Sequence, residues 1–197
     1  MRPPVVNRTY IDYIRKTVWD FFANKGFAAA QTAGMMGNLF QESSWNPLLR
    51  RAGSQFWGLF QINQNLARGL HSEFANAGLD MNRFGYEIPT YQTIGGRGNI
   101  PRNYLTIILR VQLEFAYRQQ PTAREWNLPL RNATTAEEAA EIFLVHYLGA
   151  ISGLNSQDED DRLLYYRGIN VGGVQRVFFQ NASARRRFAL EYYERFK

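Results

Sequence analysis

The chain has 197 residues, 45% of them hydrophobic and 15% aromatic, and it contains no cysteine. This composition excludes a wholly disordered chain and a disulfide-stapled scaffold, and the length suits one domain with a substantial core. The net charge of +6 predicts attraction to polyanions, but no sustained basic stripe is interleaved with aromatic residues, so nucleic-acid binding is not favoured.

The first residues of the chain give no sign of a targeting segment. The opening MRPPVVNRTY lacks the apolar run of a signal peptide, and no later segment approaches the apolar length of a membrane span. We therefore expect no signal peptide and no membrane-spanning helix. We interpret residues 1–8 as a flexible extension and residues 1–197 as a single domain.

Two helices are predicted in the first quarter of the chain. From Thr9 to a stop at Gly26, apolar residues recur at helical spacing: Ile11, Ile14, Val18, Phe21 and Phe22. The range Phe27–Ser44 predicts a second helix, which Asn46-Pro47 should end. In this helix, small residues at four-residue spacing form a strip that another backbone can approach closely: Ala29, Ala33 and Gly37.

The middle of the chain predicts irregular structure and two helices. Residues 56–63 mix aromatic and branched residues with a glycine, which suits an extended or irregular segment, and residues 64–77 suit a helix. Residues 82–103, with two prolines and the sequence GGRG, predict a long loop. A helix over residues 104–119 follows this loop.

Two more helices complete the prediction. One starts at Thr135, because Thr135 and Glu138 form a capping-box pattern ahead of an apolar stripe, and the other covers residues 181–196. Alternating strand patterns are almost absent from the chain. The predicted fold class is therefore mainly α, with little or no β-structure.

The segment GNLFQESSWNP, residues 37–47, has a carboxylate at the end of an apolar helix. Aromatic neighbours at Phe40, Trp45 and Trp57 would partly remove Glu42 from water, which disfavours its charged form and suits a proton donor. A lone glutamate near a helix end is more often solvated than catalytic. The catalytic interpretation therefore depends on the motifs that follow in the chain.

These motifs together resemble known cell-wall enzymes. Glu42-Ser43, Asn46-Pro47 and the sequence GLFQI at 58–62 resemble the signature of goose-type lysozymes and lytic transglycosylases. The ordered segments AGMMGNLFQESSWNP, QLEFAYRQ, TTAEEAAEIFLVHY and RRRFALEYYERF resemble the phage tail lysozyme family over nearly the whole chain after Thr9. The resemblance implies a lysozyme-like helical domain with a catalytic cleft that degrades bacterial peptidoglycan.

The resemblance also implies roles for individual residues. In such families the glutamate at the helix end is the catalytic acid, which corresponds to Glu42, and the next residue, Ser43, helps to hold the N-acetyl group of the substrate. Gln61 would line the same cleft, and Trp57 would offer a sugar-stacking surface. Structural alternatives stay open, because Ser43 could end the helix, Gln61 could be a loop amide and Trp57 could belong to the core.

A later stretch resembles, in part, the Tyr-Asn-x-Gly segment of lytic transglycosylases. Residues 168–174 read GINVGGV, with Ile169 where tyrosine is usual. This difference makes Asn170 the firmer candidate for substrate binding. It weakens the substrate-orienting role that the resemblance would give to Tyr166 or its neighbour Tyr165.

The number of catalytic carboxylates depends on the mechanism. An inverting hydrolase needs a second carboxylate about 6.5–9.5 Å from the acid, and the candidates are Glu73, Asp80 and Glu87. A lytic transglycosylase needs one acid/base, because the 6-hydroxyl of the muramic acid replaces water. Since no second carboxylate accompanies the motif, we favour a transglycosylase over a hydrolase. The resemblance implies that either enzyme would cut the MurNAc–GlcNAc bond.

No metal ion or cofactor is expected, because His71 and His146 lack neighbouring ligands at metal spacing. We expect a monomer that acts on bacterial peptidoglycan and binds no nucleic acid. Its setting would be the phage virion, with virion or tail proteins as partners, or the host cytoplasm before release to the periplasm and cell wall. The alternative is a catalytically inactive wall-binding or virion structural protein on the same fold.

Overall fold

The computed structural model describes residues 8–49, 56–79, 102–119, 129–144 and 182–197. Within these ranges the protein is mainly α-helical, as the sequence predicts. Residues 129–132 are also helical, where no helix was predicted. The main elements are α1 (Arg8–Asn24), α2 (Ala29–Ser43), β1 (Phe56–Trp57), β2 (Ile62–Asn63), α3 (Gln64–Asn76), α4 (Arg102–Gln119), α5 (Ala136–Ile142) and α6 (Ala182–Phe196).

The predicted helices lie where the sequence indicates, and the first residue of each is within two positions of the prediction. Residues 56–63, expected to be extended or irregular, form two short antiparallel strands joined by a turn. The predicted loop was too long at its end, because residues 102–103 already belong to α4. Residues 82–101 of that loop lie outside the described residues.

Helix α1 ends at the predicted glycine by a Schellman motif. Gly26 has φ +82° and donates its amide hydrogen to the carbonyl of Ala23 at 2.9 Å, while Phe27 donates to the carbonyl of Phe22 at 3.2 Å. The rings of Phe22 and Phe27 meet edge to face at 5.9 Å. These are the two hydrogen bonds and the apolar contact by which a left-handed residue stops a helix.

The predicted start of α5 is confirmed, with one change in its capping. Thr135 is the N-cap, and its Oγ1 accepts from the amide of Glu138 at 3.2 Å. The Glu138 carboxylate accepts at 2.8 Å from the amide of Thr134, one residue before the amide that a capping box would use. The interaction still closes the first turn of the helix, so the local sequence signal is sufficient to start it here.

The chain divides into two compact units. Unit 1 comprises Met1–Phe21 and Glu42–Gln119, and unit 2 comprises Phe22–Gln41 and Gln120–Lys197. Each has its own buried side chains, which in unit 1 include Ile14, Trp45, Leu59, Phe74 and Leu109, and in unit 2 include Phe22, Met36, Leu39, Phe143 and Tyr192. The interpretation of residues 1–197 as one domain stays a prediction.

Helix α2 packs closely on two other helices of unit 2. A Cβ atom built on Gly37 would lie 2.6 Å from the carbonyl oxygen of Arg185 and 2.8 Å from the nitrogen of Ala189, both in α6. A Cβ on Gly34 would lie 2.6 Å from the carbonyl carbon of Ala139 in α5. The small-residue strip thus brings backbones together, as predicted for Gly37, with Gly34 as a contact that the strip did not include.

We expect Gly37→Ala to lower the free energy of unfolding by about 1–3 kcal/mol, because the new methyl group meets backbone atoms that cannot move aside. The gain in helix propensity, about 1 kcal/mol, offsets part of this loss. Urea unfolding measures the difference. Gly69→Ala in α3 is the control, because its Cβ would meet a ring atom of Phe115 at 3.2 Å and no backbone. Equal losses in both variants would contradict the close packing of α2 on α6.

None of the helices in the described ranges is both long enough and apolar enough to cross a membrane.

Candidate active site

Glu42 is the penultimate residue of α2, and it is half-buried. Ser43, the last residue of the helix, is fully buried. Glu42 therefore combines partial shielding from water with partial exposure, as a proton donor to a bound ligand requires. The complete burial of Ser43 favours the alternative in which this residue supports the helix end.

The helix ends by a turn that the sequence did not predict. Ser44 and Trp45 have φ values of +49° and +65°, although neither is a glycine or an asparagine, and the amide of Asn46 donates to the carbonyl of Ser43 at 2.9 Å. The chain thus leaves the helical path before it reaches Pro47. The proline that we expected to end the helix lies beyond this turn.

Burial of Trp45 accounts for the unusual backbone. The left-handed conformation costs a residue with a side chain about 1–2 kcal/mol. Trp45 is only 1% exposed, and the guanidinium of Arg15 lies 5.9 Å from its ring. Removing a buried tryptophan ring typically costs about 3–5 kcal/mol, so its packing outweighs the backbone strain. The segment directly after Glu42 is therefore anchored by a core side chain.

Hydrogen bonds hold the next residues in a tight turn. The Oδ1 atom of Asn46 accepts from the amide of Leu48 at 2.9 Å, and the amide of Leu49 donates to the carbonyl of Asn46 at 3.1 Å. Leu48 and Leu49 are both buried. The Asn46-Pro47 motif thus has a clear structural role, because the asparagine side chain replaces a backbone partner and the following leucines fix the turn to the core.

The second motif of the resemblance forms a small hairpin. Phe56 pairs with Asn63 and Trp57 with Ile62, so residues 58–61 make the connecting turn. The amide of Gly58 donates to the carbonyl of Leu49 at 2.9 Å, which joins the hairpin to the segment after Glu42. The two motifs therefore share one hydrogen-bonded framework in unit 1.

Gln61 lies in this turn and is half-buried, with φ +46°. Its Nε2 atom donates to the carbonyl of Gly58 at 2.8 Å and to that of Leu49 at 3.3 Å. The amide nitrogen is therefore committed to the framework, as in the structural alternative for this residue. The side-chain oxygen is the part of Gln61 that remains for a ligand, since no described residue donates to it in a hydrogen bond.

Of the other predicted substrate-binding residues, one lies within the described residues. Trp57 contributes its backbone to β1. Tyr166 and Asn170 lie outside the described residues, as does His146. Their predicted or alternative roles stay predictions, and the described part of the site consists of Glu42, its turn and the hairpin.

Gln112 is a site residue that sequence reasoning missed. It lies on α4, is 0% exposed, and bonds to both the Glu42 segment and the hairpin. A signal was present, because Gln112 continues the helical spacing of Leu105, Ile108 and Leu109, all of which are buried. A glutamine in the apolar stripe of a helix needs buried partners, and this could have identified it.

A second buried polar cluster lies in unit 2. Asn38, one helical turn before Glu42 on α2, donates through Nδ2 to the carbonyls of Gly34 at 3.0 Å and Ala140 at 2.9 Å. Its Oδ1 accepts from Nη1 of Arg185 at 2.9 Å. Asn38 is 0% exposed and Arg185 is 9% exposed, so α2, α5 and α6 are joined by buried hydrogen bonds.

Of the three candidates for a second carboxylate, Glu73 lies within the described residues. It is half-buried on α3, and its carboxylate pairs with Nη2 of Arg118 on α4 at 3.4 Å. Asp80 and Glu87 lie outside the described residues. The ion pair of Glu73 with Arg118 therefore links α3 to α4.

A cavity of about 220 Å³ in unit 1 is lined by Thr9, Tyr10, Tyr13 and Arg102. None of the residues predicted for catalysis or substrate binding lines it. Among the residues that the structure describes, no group of three or more His, Asp or Glu side chains is arranged to hold a metal ion. The candidate site therefore rests on the Glu42 segment and the hairpin.

Comparison with known proteins gives one match. The sequence profile described as phage tail lysozyme matches residues 14–196, which is nearly the whole chain. No curated protein and no solved structure gives a significant match. The matched range includes Glu42 and its turn, the hairpin and all the helices described above except the start of α1. The chain belongs to the phage tail lysozyme family.

Proposed function

We propose that this protein cleaves the β-1,4 bond between MurNAc and GlcNAc in bacterial peptidoglycan, with Glu42 as its general acid and base. Membership in the phage tail lysozyme family supports a peptidoglycan-degrading, lysozyme-like role in a phage. The bond that is cut and the catalytic residue are the parts that we propose.

The observation that carries the proposal is the setting of Glu42. It is half-buried at the end of α2, and the chain directly after it is anchored by the buried ring of Trp45. A general acid must stay within hydrogen-bonding distance of the sugar oxygen that leaves, and a fixed backbone limits how far the carboxyl group can move. The neighbouring hairpin supplies groups that a glycan strand can contact.

The reaction needs one carboxyl group. Glu42 donates its proton to the glycosidic oxygen as the bond from that oxygen to C1 of MurNAc breaks, and positive charge develops at C1. The resulting carboxylate takes the proton of the 6-hydroxyl of the same sugar, and that oxygen bonds to C1. An anhydro-sugar forms, no water is consumed, and Glu42 regains its proton. A muramidase would add water at C1 instead.

We assign substrate contact to the side-chain oxygen of Gln61 and to Trp57, Tyr166 and Asn170. Gln61 lies in the hairpin turn, with its nitrogen already bonded to the protein, so its oxygen can accept from a sugar hydroxyl or an N-acetyl amide. Ser43 is fully buried, so we propose that it supports the end of α2 and acts on the N-acetyl group only through the placement of Glu42.

The setting that we propose is the virion, where the enzyme opens the wall locally during infection. The family name points to the phage tail, and virion or tail proteins are then its partners. The net charge of +6 favours contact with an anionic cell envelope. Accumulation in the host cytoplasm before lysis is the other setting that the same catalytic chemistry would serve.

Mass spectrometry of the fragments released from purified sacculi tests the reaction. We expect fragments that end in anhydro-muramic acid, because Glu42 has no partner carboxylate in its motif. Reducing ends, heavier by the elements of one water, would identify a hydrolase. No released fragments, with sacculi still bound, would identify the inactive wall-binding or virion structural protein. DNA retention that falls steeply with salt, without fragments, would indicate a nucleic-acid-binding protein.

A further inference from the structure

The side chain of Gln112 joins two segments of the candidate site. It lies on the buried face of α4, where its Nε2 atom donates to the carbonyl of Pro47 at 2.6 Å. Its Oε1 atom accepts from the amide of Leu59 at 2.9 Å. Pro47 lies five residues after Glu42, and Leu59 lies in the hairpin turn. Both ends of one carboxamide are therefore used, each on a different segment.

The hairpin is shaped to receive this side chain. A Cβ atom on Gly58 would lie 2.5 Å from the Oε1 atom of Gln112, so any larger residue at position 58 would push the glutamine away. Gly58 also has φ +78°, a conformation that side chains disfavour. A glycine at position 58 therefore allows both the turn of the hairpin and the space for Gln112.

We propose that Gln112 is a positioning residue that sets the spacing between the Glu42 segment and the hairpin that contacts the glycan. This inference rests on the proposed function, and it goes beyond that function by assigning a role to a residue that does not touch the substrate. Its carboxamide spans the carbonyl of Pro47 and the amide of Leu59, and together with the bond from the Gly58 amide to the Leu49 carbonyl it sets how far apart the two segments lie.

Few side chains can replace glutamine here. Methionine has a similar length but leaves the buried carbonyl of Pro47 and the amide of Leu59 without these partners. A charged glutamate can accept from Leu59, but its second oxygen would face the Pro47 carbonyl. A neutral glutamic acid restores the pattern, because its O–H group donates and its C=O group accepts. The pattern of donor and acceptor therefore identifies the role more sharply than size does.

Gln31 offers a matched control within the same chain. It is 6% exposed, its Oε1 accepts from the amide of Ala28 at 2.9 Å, and its Nε2 donates to the carbonyls of Arg131 at 2.7 Å and Ala133 at 3.3 Å. Like Gln112, it is a buried glutamine that bridges separate backbone segments. These segments belong to unit 2 and include neither motif of the candidate site.

The test compares Gln112→Met with Gln31→Met on purified sacculi, well below the unfolding temperature of either variant. We expect both to lose similar thermal stability. We expect kcat/KM to fall about 10–100-fold in Gln112→Met, because small displacements of reacting groups have effects of this size, and to stay near wild type in Gln31→Met. Equal kcat/KM in the two variants, with wild-type cleavage intact, would overturn the inference and leave the proposed function standing. If the wild type itself releases no fragments, the proposed function and this inference both fail.

Gln112→Glu gives a second, independent readout, and it decides the matter if Gln112→Met does not fold. Its kcat/KM, divided by that of the wild type at the same pH, should rise toward one as the pH falls and the new carboxyl group takes up a proton. The division removes any pH dependence that Glu42 itself contributes. A ratio that stays constant with pH would show that the donor and acceptor pattern at position 112 does not set the activity.

Discussion

Glu42→Gln is expected to reduce the release of muropeptides from sacculi by about 10²–10⁴-fold, the range that a positioned acid or base contributes. The upper part of this range is expected, because in the proposed reaction one carboxyl group acts first as acid and then as base. Glutamine has nearly the same shape but cannot donate a proton to the departing sugar oxygen. Mass spectrometry of the soluble fragments measures the loss, and binding to sacculi should persist.

Glu73→Gln is the matched control for this experiment. It removes one negative charge, as Glu42→Gln does, so both variants have the same electrostatic attraction to the wall. Its loss of the exposed ion pair with Arg118 should cost less than about 1 kcal/mol of stability. We expect near-wild-type cleavage. If Glu73→Gln were as inactive as Glu42→Gln, Glu73 would be a second catalytic carboxylate. If Glu42→Gln cleaved sacculi normally, the proposed mechanism would be wrong.

Asn38→Leu is expected to lower the free energy of unfolding by about 1–3 kcal/mol, the cost of leaving a buried polar group without its hydrogen-bond partner. The substitution takes the Oδ1 acceptor away from Arg185, which is only 9% exposed, and removes the Nδ2 donor that lies 2.9 Å from the carbonyl of Ala140. Urea unfolding followed by circular dichroism measures the change, and the hydrophobic gain from leucine offsets only part of it.

Two controls accompany this variant. Asn24→Leu makes the same chemical change at an exposed position at the end of α1, and it should alter stability by less than about 0.5 kcal/mol. Asn38→Asp keeps an acceptor for Arg185 and should lose less stability than Asn38→Leu. If Asn38→Leu were as stable as the wild type, the buried hydrogen bonds between α2 and α6 would contribute nothing net.

Much of the helical framework could be predicted because its signals are local. Gly26 stops α1, and Thr135 with Glu138 starts α5, through bonds between residues no more than five apart in the chain. The start of α4 was missed by two residues because Arg102 and Asn103 are exposed and carry no inward-facing apolar pattern. Apolar periodicity identifies the buried face of a helix but gives no information about its solvated ends.

Hydrogen bonds between side chains and distant parts of the chain could not be predicted in the same way. Gln112 bonds to residues 53 and 65 positions away, and Asn38 bonds to a residue 147 positions away. No local pattern links such partners, although a glutamine or asparagine among buried apolar positions indicates that partners exist. The position of Glu42 at a helix end followed from the sequence, whereas the groups that hold its surroundings followed only from the folded chain.

The left-handed turn after α2 restricts how this part of the chain can vary over evolution. Position 44 favours glycine, asparagine or aspartate as replacements for serine and disfavours valine, isoleucine or threonine, since branching at Cβ suits a positive φ poorly. Position 45 must at once adopt the same backbone and fill a large hole in the core, and few residues do both. Drift should therefore be slow at these two positions even if no ligand ever touches them.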